Sequence, residues 1–331
     1  MKKLAIAIPT YNEFSYLKVG LSSLIEQVDA YRNDVDLYVF DNNSNDQTGI
    51  ELPRLFNKRK NCYYIKNSKN IGLYLNQLKS LQVKNYKYNM VVGSDDVILP
   101  GSICKILEYL DKEDCSIFFT NYYAFSNNYL DPKQFFVEEA DKSFSRPYDL
   151  LNYPSVGHFS GFIFRSIYTK KYLNILLNEH DTSFYEQHRG IIAFLAAYIC
   201  SKESKKSFFI GKRCLATKLH KKINYNPLTH CCSKNLNTHY DFYKKNISSY
   251  DDYLIRKKQI KQDLLRSSVR NLPFMTKNEI IETYQDLRFH FNGEIYFNFI
   301  IAPIFYINRI SLFRKFTASL ITIYLKRKNY G

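Results

Sequence analysis

Short, continuous apolar runs that stop abruptly at polar loops, with helical periodicity between them, constrain this chain more than any other feature. Leu4 to Ile8 is such a run, with no polar alternate positions, as expected of a strand covered on both faces. Leu17, Leu21, Leu24, Ile25 and Val28 then recur at helical spacing. Val35 to Phe40 predicts a second strand, Cys62 to Ile65 a third and Tyr88 to Val92 a fourth, with a helical pattern over 73–81 before the last of these. Leu99-Pro100-Gly101 leads into a helix carrying Ile103, Ile106, Leu107 and Leu110, and Ser116 to Thr120 predicts a fifth strand. Alternation at this spacing predicts an α/β fold with a mainly parallel, doubly wound sheet flanked by helices.

The rest of the chain is less regular. Residues 121–156, rich in Tyr, Phe, Asn and Pro, read as a long ordered excursion over the sheet. Val156 to Phe164 reads as a strand or a strand plus turn, and Glu186 to Ile199 as a helix. Lysines and arginines crowd 202–222, residues 250–290 look helical, and the tail from Ile295 to Lys328 interleaves apolar and aromatic residues with cations. These shifts place a boundary near residue 215. A first region, 1–215, divides into 1–120 and 121–215, and a second, 216–331, is a mostly helical, basic extension.

Composition narrows the partners. Hydrophobic residues make up 45% of the 331 residues, enough for a sizeable core, and the formal net charge of +16 favours an anionic partner. Seven cysteines, with no CxxC pair, argue against a disulfide framework and for a reducing compartment; Cys62, Cys104 and Cys115 read as core thiols. Met1-Lys2-Lys3 and the following apolar run imitate the start of a signal peptide, but the run is too short and lacks a cleavage site. No stretch of eighteen apolar residues is present, so no ordinary transmembrane helix is predicted.

Three polar segments follow the first, second and fourth apolar runs: Pro9 to Glu13, Asp41 to Asp46, and Gly93-Ser94-Asp95-Asp96. Each is expected at the carboxyl edge of the sheet, where open α/β sheets bind ligands. Taken singly, each has a plainer explanation. Asp95 or Asp96 can turn the chain or cap the helix that follows Pro100, Asp41 to Asp46 has the composition of a polar turn, and Asn12 or Ser15 can cap the first helix. The alternative is a nucleotide and cation site. A divalent ion on a diphosphate takes hard oxygen ligands from one or two carboxylates, and an acid after the second strand commonly contacts the nucleoside.

Taken together, IAIPTYNE, FDNNSNDQT, KNIGLYLNQL and VVGSDDVILPGSI, in this order, resemble the family 2 glycosyltransferases with the A-type nucleotide-sugar fold. The resemblance covers about residues 4–120, and the flavour is that of bacterial O-antigen and surface-polysaccharide transferases, abequosyltransferase-like enzymes included. SGFIFR, Ser160 to Arg165, also looks like theirs. The resemblance implies a nucleoside-diphosphate-sugar donor and a divalent cation, Mg²⁺ or Mn²⁺. By position it implies that Pro9, Thr10, Tyr11 and Glu13 line the nucleotide pocket and that Asp41 meets the base, with Ser44 and Asp46 shaping its loop. It places Asn70 and Gly72 beside the nucleotide sugar, Asp96 on the metal, and Asp95 next to it near the donor sugar. Ser94 stands where the family often has an acid. Residues 1–215 are then the catalytic domain, 1–120 its donor half and 121–215 its acceptor half.

Inverting transfer needs a base for the acceptor hydroxyl. The family usually supplies an acid, often in an ED pair, and none stands at that place. The candidates are Glu186 and His188, with Asp181 and His158 behind them; Glu186 is the expected base and His188 an orienting group, against a plain reading of each as a solvated or helix-capping side chain. The resemblance further implies a lipid-diphosphate-linked glycan acceptor, which gives the basic 202–222 stretch and the 295–328 tail a purpose on an anionic membrane surface. That reading locates the protein in the cytoplasm, peripheral on the inner face of the bacterial inner membrane. Ordinary solvated surface and a pair of packed C-terminal helices are the plainer alternatives. An inactive homologue serving as a scaffold, a sugar nucleotidyltransferase and a nucleic-acid-binding protein are the competing functions. The second lacks its Gly-rich phosphate loop, and the third lacks every familiar nucleic-acid motif.

Overall fold

A computed structural model of the protein describes residues 1–135, 138–153, 156, 158–179, 191–219, 244–245, 254, 257–258, 277–291 and 302–308. Met1–Lys221 and Lys222–Gly331 form two compact units. In the first, the apolar runs become β1 (Lys2–Thr10), β2 (Val35–Asp41), β3 (Cys62–Lys66) and β4 (Tyr86–Val91). They pair parallel in the order β3-β2-β1-β4. Leu4, Ala5 and Ile6 have no exposed surface, which is why β1 needs no polar face. The helices between these strands are α1 (Phe14–Ala30), α2 (Thr48–Phe56) and α3 (Leu73–Leu81). α1 turns Leu17, Leu21, Leu24, Ile25 and Val28 inward, as their spacing predicts.

The chain steps from β1 outward to β2 and β3, then returns to place β4 on the other side of β1. The strand order therefore reverses between β1 and β4, and their carboxyl ends open the crevice where such sheets bind ligands.

Beyond β4 the sheet is mixed. A two-residue β5 (Val97–Ile98) precedes α4 (Ser102–Lys112), and β6 (Ile117–Phe125) follows, buried at every position. The excursion after β6 contains β7 (Pro132–Phe135), β8 (Lys142–Phe144) and a 3₁₀ turn, Pro147–Asn152. Another 3₁₀ turn, Phe159–Gly161, leads into β9 (Phe162–Arg165), which lies antiparallel between β4 and β6. α5 (Ser166–Glu179) and α6 (Ile191–Lys202) follow. The second unit contains helices at Lys277–Phe291 and Ala302–Ile307. Cys62 and Cys115 are buried as expected, whereas Cys104 is partly exposed on α4.

The basic stretch holds the main difference from the sequence reading. Ser207–Lys218 is a strand, β10, which runs through residue 215, parallel to β6 and antiparallel to β5. Phe208, Phe209, Ile210, Cys214, Leu215 and Ala216 are buried, and the register shifts between Ile210 and Leu215 put Lys212 and Arg213 at an irregularity. Lys205, Lys206 and Arg213 pair with Asp114, Glu113 and Glu139, so part of the positive charge is answered within the unit.

At this irregularity Gly211 lies against the backbone of Ala140; a Cβ there would be 2.3 Å from the carbonyl carbon and 2.6 Å from the nitrogen and oxygen. Its N–H donates to Asp141 (2.8 Å) and its carbonyl accepts from Asn121 (2.9 Å), so neither side can retreat freely. Gly211→Ala is expected to destabilise the protein by about 1–3 kcal/mol, read as a lower urea midpoint.

Candidate active site

Polar loops that leave neighbouring parallel strands share one edge, and here side chains stitch them together. Asn12, after β1, adopts a left-handed backbone (φ 55°), a conformation that Asn tolerates. Its N–H donates to Ser44 Oγ (2.9 Å), and its Oδ1 accepts from the Asn45 N–H (2.9 Å). Glu13 occupies the cap position of α1 without capping it through its side chain. The first helical N–H, of Phe14, donates instead to Asp46 Oδ2 (3.0 Å), and the other oxygen of Asp46 accepts from Thr48 N–H (3.0 Å) at the start of α2. One carboxylate thus serves two helix starts, where negative charge is favoured.

Burial alone would raise the Asp46 carboxyl, but the donors of Thr48 and the N–H of Phe14 outweigh it and hold the group below its usual range. Its contribution to stability is then fully present above the ordinary carboxylate pKa and fades as pH falls through the lower folded value. Asp46→Ala is expected to cost about 1–2 kcal/mol at pH 7, and less in acid, in paired thermal melts of variant and parent.

Asp41 ends β2 with no exposed surface. It accepts from the Ser44 N–H (2.8 Å) and from the Tyr64 hydroxyl. Burial, then the hydrogen bond to Asp41, pushes the Tyr64 phenol well above its usual range. Asn42, beside it, is 2% exposed and uses both ends of its amide. It donates to Asn70 Oδ1 (2.7 Å) and the Gly72 carbonyl (3.1 Å), and accepts from Asn67 (3.1 Å) and the Ile71 N–H (2.9 Å). Asn67 in turn donates to Asn76 (3.0 Å) on α3. The segment carrying Asn70 and Gly72 is therefore fastened to the loop after β2.

The third loop, Gly93 to Asp96, joins the first through Ser94, whose hydroxyl donates to Glu13. The Asp96 side chain is 2% exposed. Its Oδ2 accepts from Ser160 Oγ (2.6 Å) and its Oδ1 from the Lys218 N–H (3.2 Å) at the end of β10. Ser160 also accepts from the Gly93 N–H (3.0 Å), which locks the turn before β9 onto this loop. α4 starts after Gly101 without a side-chain cap, so Asp96 is not a helix cap. A Cβ on Gly93 would meet Asp95 Oδ1 at 2.8 Å and Asp96 Oδ2 at 3.0 Å, so the two carboxylates converge over one α-carbon.

Burial raises the Asp96 carboxyl most strongly. The neighbouring His158 lowers it, the Asp95 charge raises it again, and the Ser160 and Lys218 hydrogen bonds lower it; the outcome is a pKa pushed up to about 6. A buried carboxylate with a second one converging on it suits a divalent cation, which relieves both burdens. Such an ion takes one or two carboxylates together with phosphate oxygens, so Asp96, with Asp95 beside it, fits the cation expected from the sequence.

The expected donor-side residues lie on these loops or on the strand ends that lead into them. Pro9 and Thr10 end β1, Tyr11 is 42% exposed beside them, and Ser44 is buried. Of the residues expected on the acceptor side, His158 lies next to Asp96, whereas Asp181, Glu186 and His188 lie outside the described residues. Sequence reading missed Ser160, Asn42, Tyr64 and the Lys218 N–H. Ser160 carried a signal through the SGFIFR stretch, and Asn42 through its place in the Asp41 to Asp46 segment.

The family model for Glycosyl transferase family 2 matches residues 5–173. Abequosyltransferase RfbV of Salmonella typhimurium is 32% identical over 112 residues, 33% of this chain and 33% of that one. The uncharacterized glycosyltransferase MJ1057 of Methanocaldococcus jannaschii is 24% identical over 189 residues, 55% of this chain and 63% of that one. The matched segments span less than two thirds of either relative. Among solved structures, Staphylococcus aureus TarS 1–349 superposes with a TM-score of 0.57 at 13% identity, covering 98% of this chain and 92% of that one. The same segment of TarS in complex with UDP-GlcNAc gives 0.56 at 14% identity, covering 99% and 92%. This likeness bears out the mainly parallel α/β fold expected from the sequence. With the family model matched from within β1 through β9 into α5, half of its length, the chain belongs to glycosyl transferase family 2.

Proposed function

We propose that the protein transfers a sugar, with inversion, from a nucleoside-diphosphate-sugar to a lipid-diphosphate-linked glycan in the synthesis of a surface polysaccharide such as O-antigen. The observation that carries this reading is the continuous hydrogen-bonded network joining the loops after β1, β2 and β4 around Asp41 and Asp96. Asp41 meets the base, and the 70–72 segment, fastened by Asn42, meets the nucleotide sugar. Asp96 and Asp95 hold a divalent cation, which supplies neutralisation of the charge that grows on the departing diphosphate. The fixed loops hold the anomeric carbon in line for the acceptor hydroxyl, lowering the entropic part of the barrier. Glu186 is the proposed base, and its carboxylate takes the hydroxyl proton as the new bond forms. Complexes of TarS with UDP-GlcNAc and with UDP support a nucleotide-sugar donor, and the resemblance to abequosyltransferase RfbV supports the polysaccharide setting.

The test is a panel of UDP-, GDP-, CDP- and dTDP-sugars with an undecaprenyl-diphosphate-linked acceptor and Mn²⁺. Release of nucleoside diphosphate from one donor class, with a product of inverted anomeric configuration, is the expected result. No release from any donor, or a retained configuration, contradicts it. Among the described residues no helix is long and apolar enough to cross a membrane. The proposed attachment is peripheral, through the basic tail. Deleting 295–331 is expected to release the protein from liposomes containing anionic lipid, and equal binding by the shortened chain counts against that attachment.

A further inference from the structure

One apolar face of the first unit is left unused by everything above. Leu130 is 68% exposed at the tip of the turn between β6 and β7. Turn tips favour polar residues, and this turn is tightly bonded. The Leu130 N–H donates to Asn128 Oδ1 (3.0 Å) and the Asp131 N–H to the Asn128 carbonyl (3.0 Å), so the side chain is held outward. The face continues from the tip towards α1. Tyr129 and Leu99 pack, half-buried, against Val97, Tyr123, Phe125 and Ala216. Val97 meets α1 at Gly20, where a Cβ would lie 2.9 Å from it. Tyr16 and Val19 are exposed on α1 just before that glycine. Lys218 joins the two ends. Its ammonium donates to the Ser126 carbonyl and lies over the rings of Phe125 (5.1 Å) and Tyr16 (5.8 Å), while its N–H is the one that reaches Asp96. The face is therefore contiguous with the Asp96 loop.

We propose that this face docks on an anionic lipid bilayer and so holds the Asp96 loop at the membrane surface. The inference rests on the proposed peripheral attachment and adds a second contact to the basic tail. Chemistry selects the occupant. Leu130 and Val19 offer aliphatic groups, and Tyr16 and Tyr129 offer rings with one apolar body and one polar end. Lys18 and Lys218 supply cations that form no ion pair among the described residues. Asp131, the acid beside the tip, is answered by Lys133 (2.5 Å). Aliphatic, aromatic and cationic side chains on one face suit the headgroup boundary of a bilayer. A second copy of the chain fits worse. Two-fold pairing sets Lys18 and Lys218 against their own equivalents, on a chain that already carries +16. The opposite edge of the sheet differs in kind. Lys2 pairs there with Asp36, Lys3 with Asp111, and Asp114 with both Arg165 and Lys205, so charge on that edge is met internally.

The chain has no tryptophan, so Leu130→Trp places a single probe at the tip. Ile167, 67% exposed at the start of α5 on the opposite edge, gives the control as Ile167→Trp. Both are read on the full chain, after a normal melting profile, with vesicles of phosphatidylcholine and phosphatidylglycerol carrying brominated acyl chains. Bound protein is expected to show blue-shifted, bromine-quenched emission from position 130 and unquenched emission from position 167. Leu130→Ser combined with Val19→Ser is expected to weaken vesicle binding by about 10-fold or more, with an unchanged melting profile. Vesicle binding without quenching at 130, or with equal quenching at both positions, overturns the docking face while leaving attachment through the tail. Binding undiminished in the folded double variant does the same. Loss of self-association in that variant, measured by sedimentation, in place of a loss of vesicle binding assigns the face to a second copy and overturns the proposal. Failure of the parent chain to bind vesicles overturns both the face and the peripheral attachment.

Discussion

Asp96→Asn is expected to lower sugar transfer by about 10²–10³-fold or more while leaving the fold intact. The substitution keeps shape and loses charge. An amide in the place of the carboxylate can accept from the Lys218 N–H through its oxygen and donate to Ser160 Oγ through its nitrogen, but the Ser160 O–H then loses its acceptor, at a cost of about 1–3 kcal/mol that leaves the fold in place. Stability should respond in a characteristic way to pH. The folded pKa of Asp96 is raised, from 3.8 to about 6, so the native state binds its proton more tightly than the unfolded chain does. That preference stabilises the parent protein below the unfolded value and is lost as pH rises through the folded one, a change on the order of 2–3 kcal/mol. The variant lacks this dependence. Its melting temperature relative to the parent is therefore expected to climb between pH 4 and pH 7, the opposite of the trend for Asp46→Ala, whose deficit grows over the same rise.

Gly93→Ala tests the geometry rather than the charge. The added methyl meets Asp95 Oδ1 at 2.8 Å, Asp96 Oδ2 at 3.0 Å and Phe159 Cζ at 3.1 Å. Side-chain ends can yield where backbone cannot, so the fold survives, with a melting temperature within a few degrees of the parent. The carboxylates cannot stay where they are, because the methyl occupies the point on which they converge. A displacement of order 1 Å at a reacting centre costs about 10²-fold in rate, and that is the expected loss of turnover. Steady-state kinetics on a variant with a normal melt checks it, and unchanged turnover would show that the convergence over Gly93 does no catalytic work. The contrast with Gly211→Ala is instructive. There the added methyl meets backbone, and stability falls.

The sequence carried β1 to β4 and the helices between them because local rules suffice there. Leu4 to Ile8 has no polar alternate, α1 keeps its helical period, and both announce themselves within a few residues. The strand-end acids were visible for the same reason, since a strand that stops at a polar loop can be read in a short window. β10 was hidden because its character is tertiary. Lys212, Arg213 and Lys218 sit at a register irregularity and at the strand end, so a buried strand resembles a basic surface in one dimension. The Lys218 N–H that reaches Asp96 is a backbone group, which no side-chain motif encodes. Asn42 looked like one more turn residue, although its amide satisfies four partners drawn from the segment around residue 70. Ser160 lies sixty-four positions from the carboxylate it holds, a pairing that only the sheet order β4-β9-β6 creates.

The most direct test of a nucleotide-sugar site built on Asp41 and Asp96 is thermal stabilisation of the full chain by UDP-, GDP-, CDP- and dTDP-sugars, each with and without Mn²⁺. A ligand at one hundred times its Kd stabilises the native state by about 2.7 kcal/mol, a shift of several degrees. One nucleotide class is expected to give that shift with Mn²⁺ present, to give much less without it, and to give none with Asp96→Asn. Absence of a shift from every nucleotide, or an equal shift in Asp96→Asn, would contradict the account.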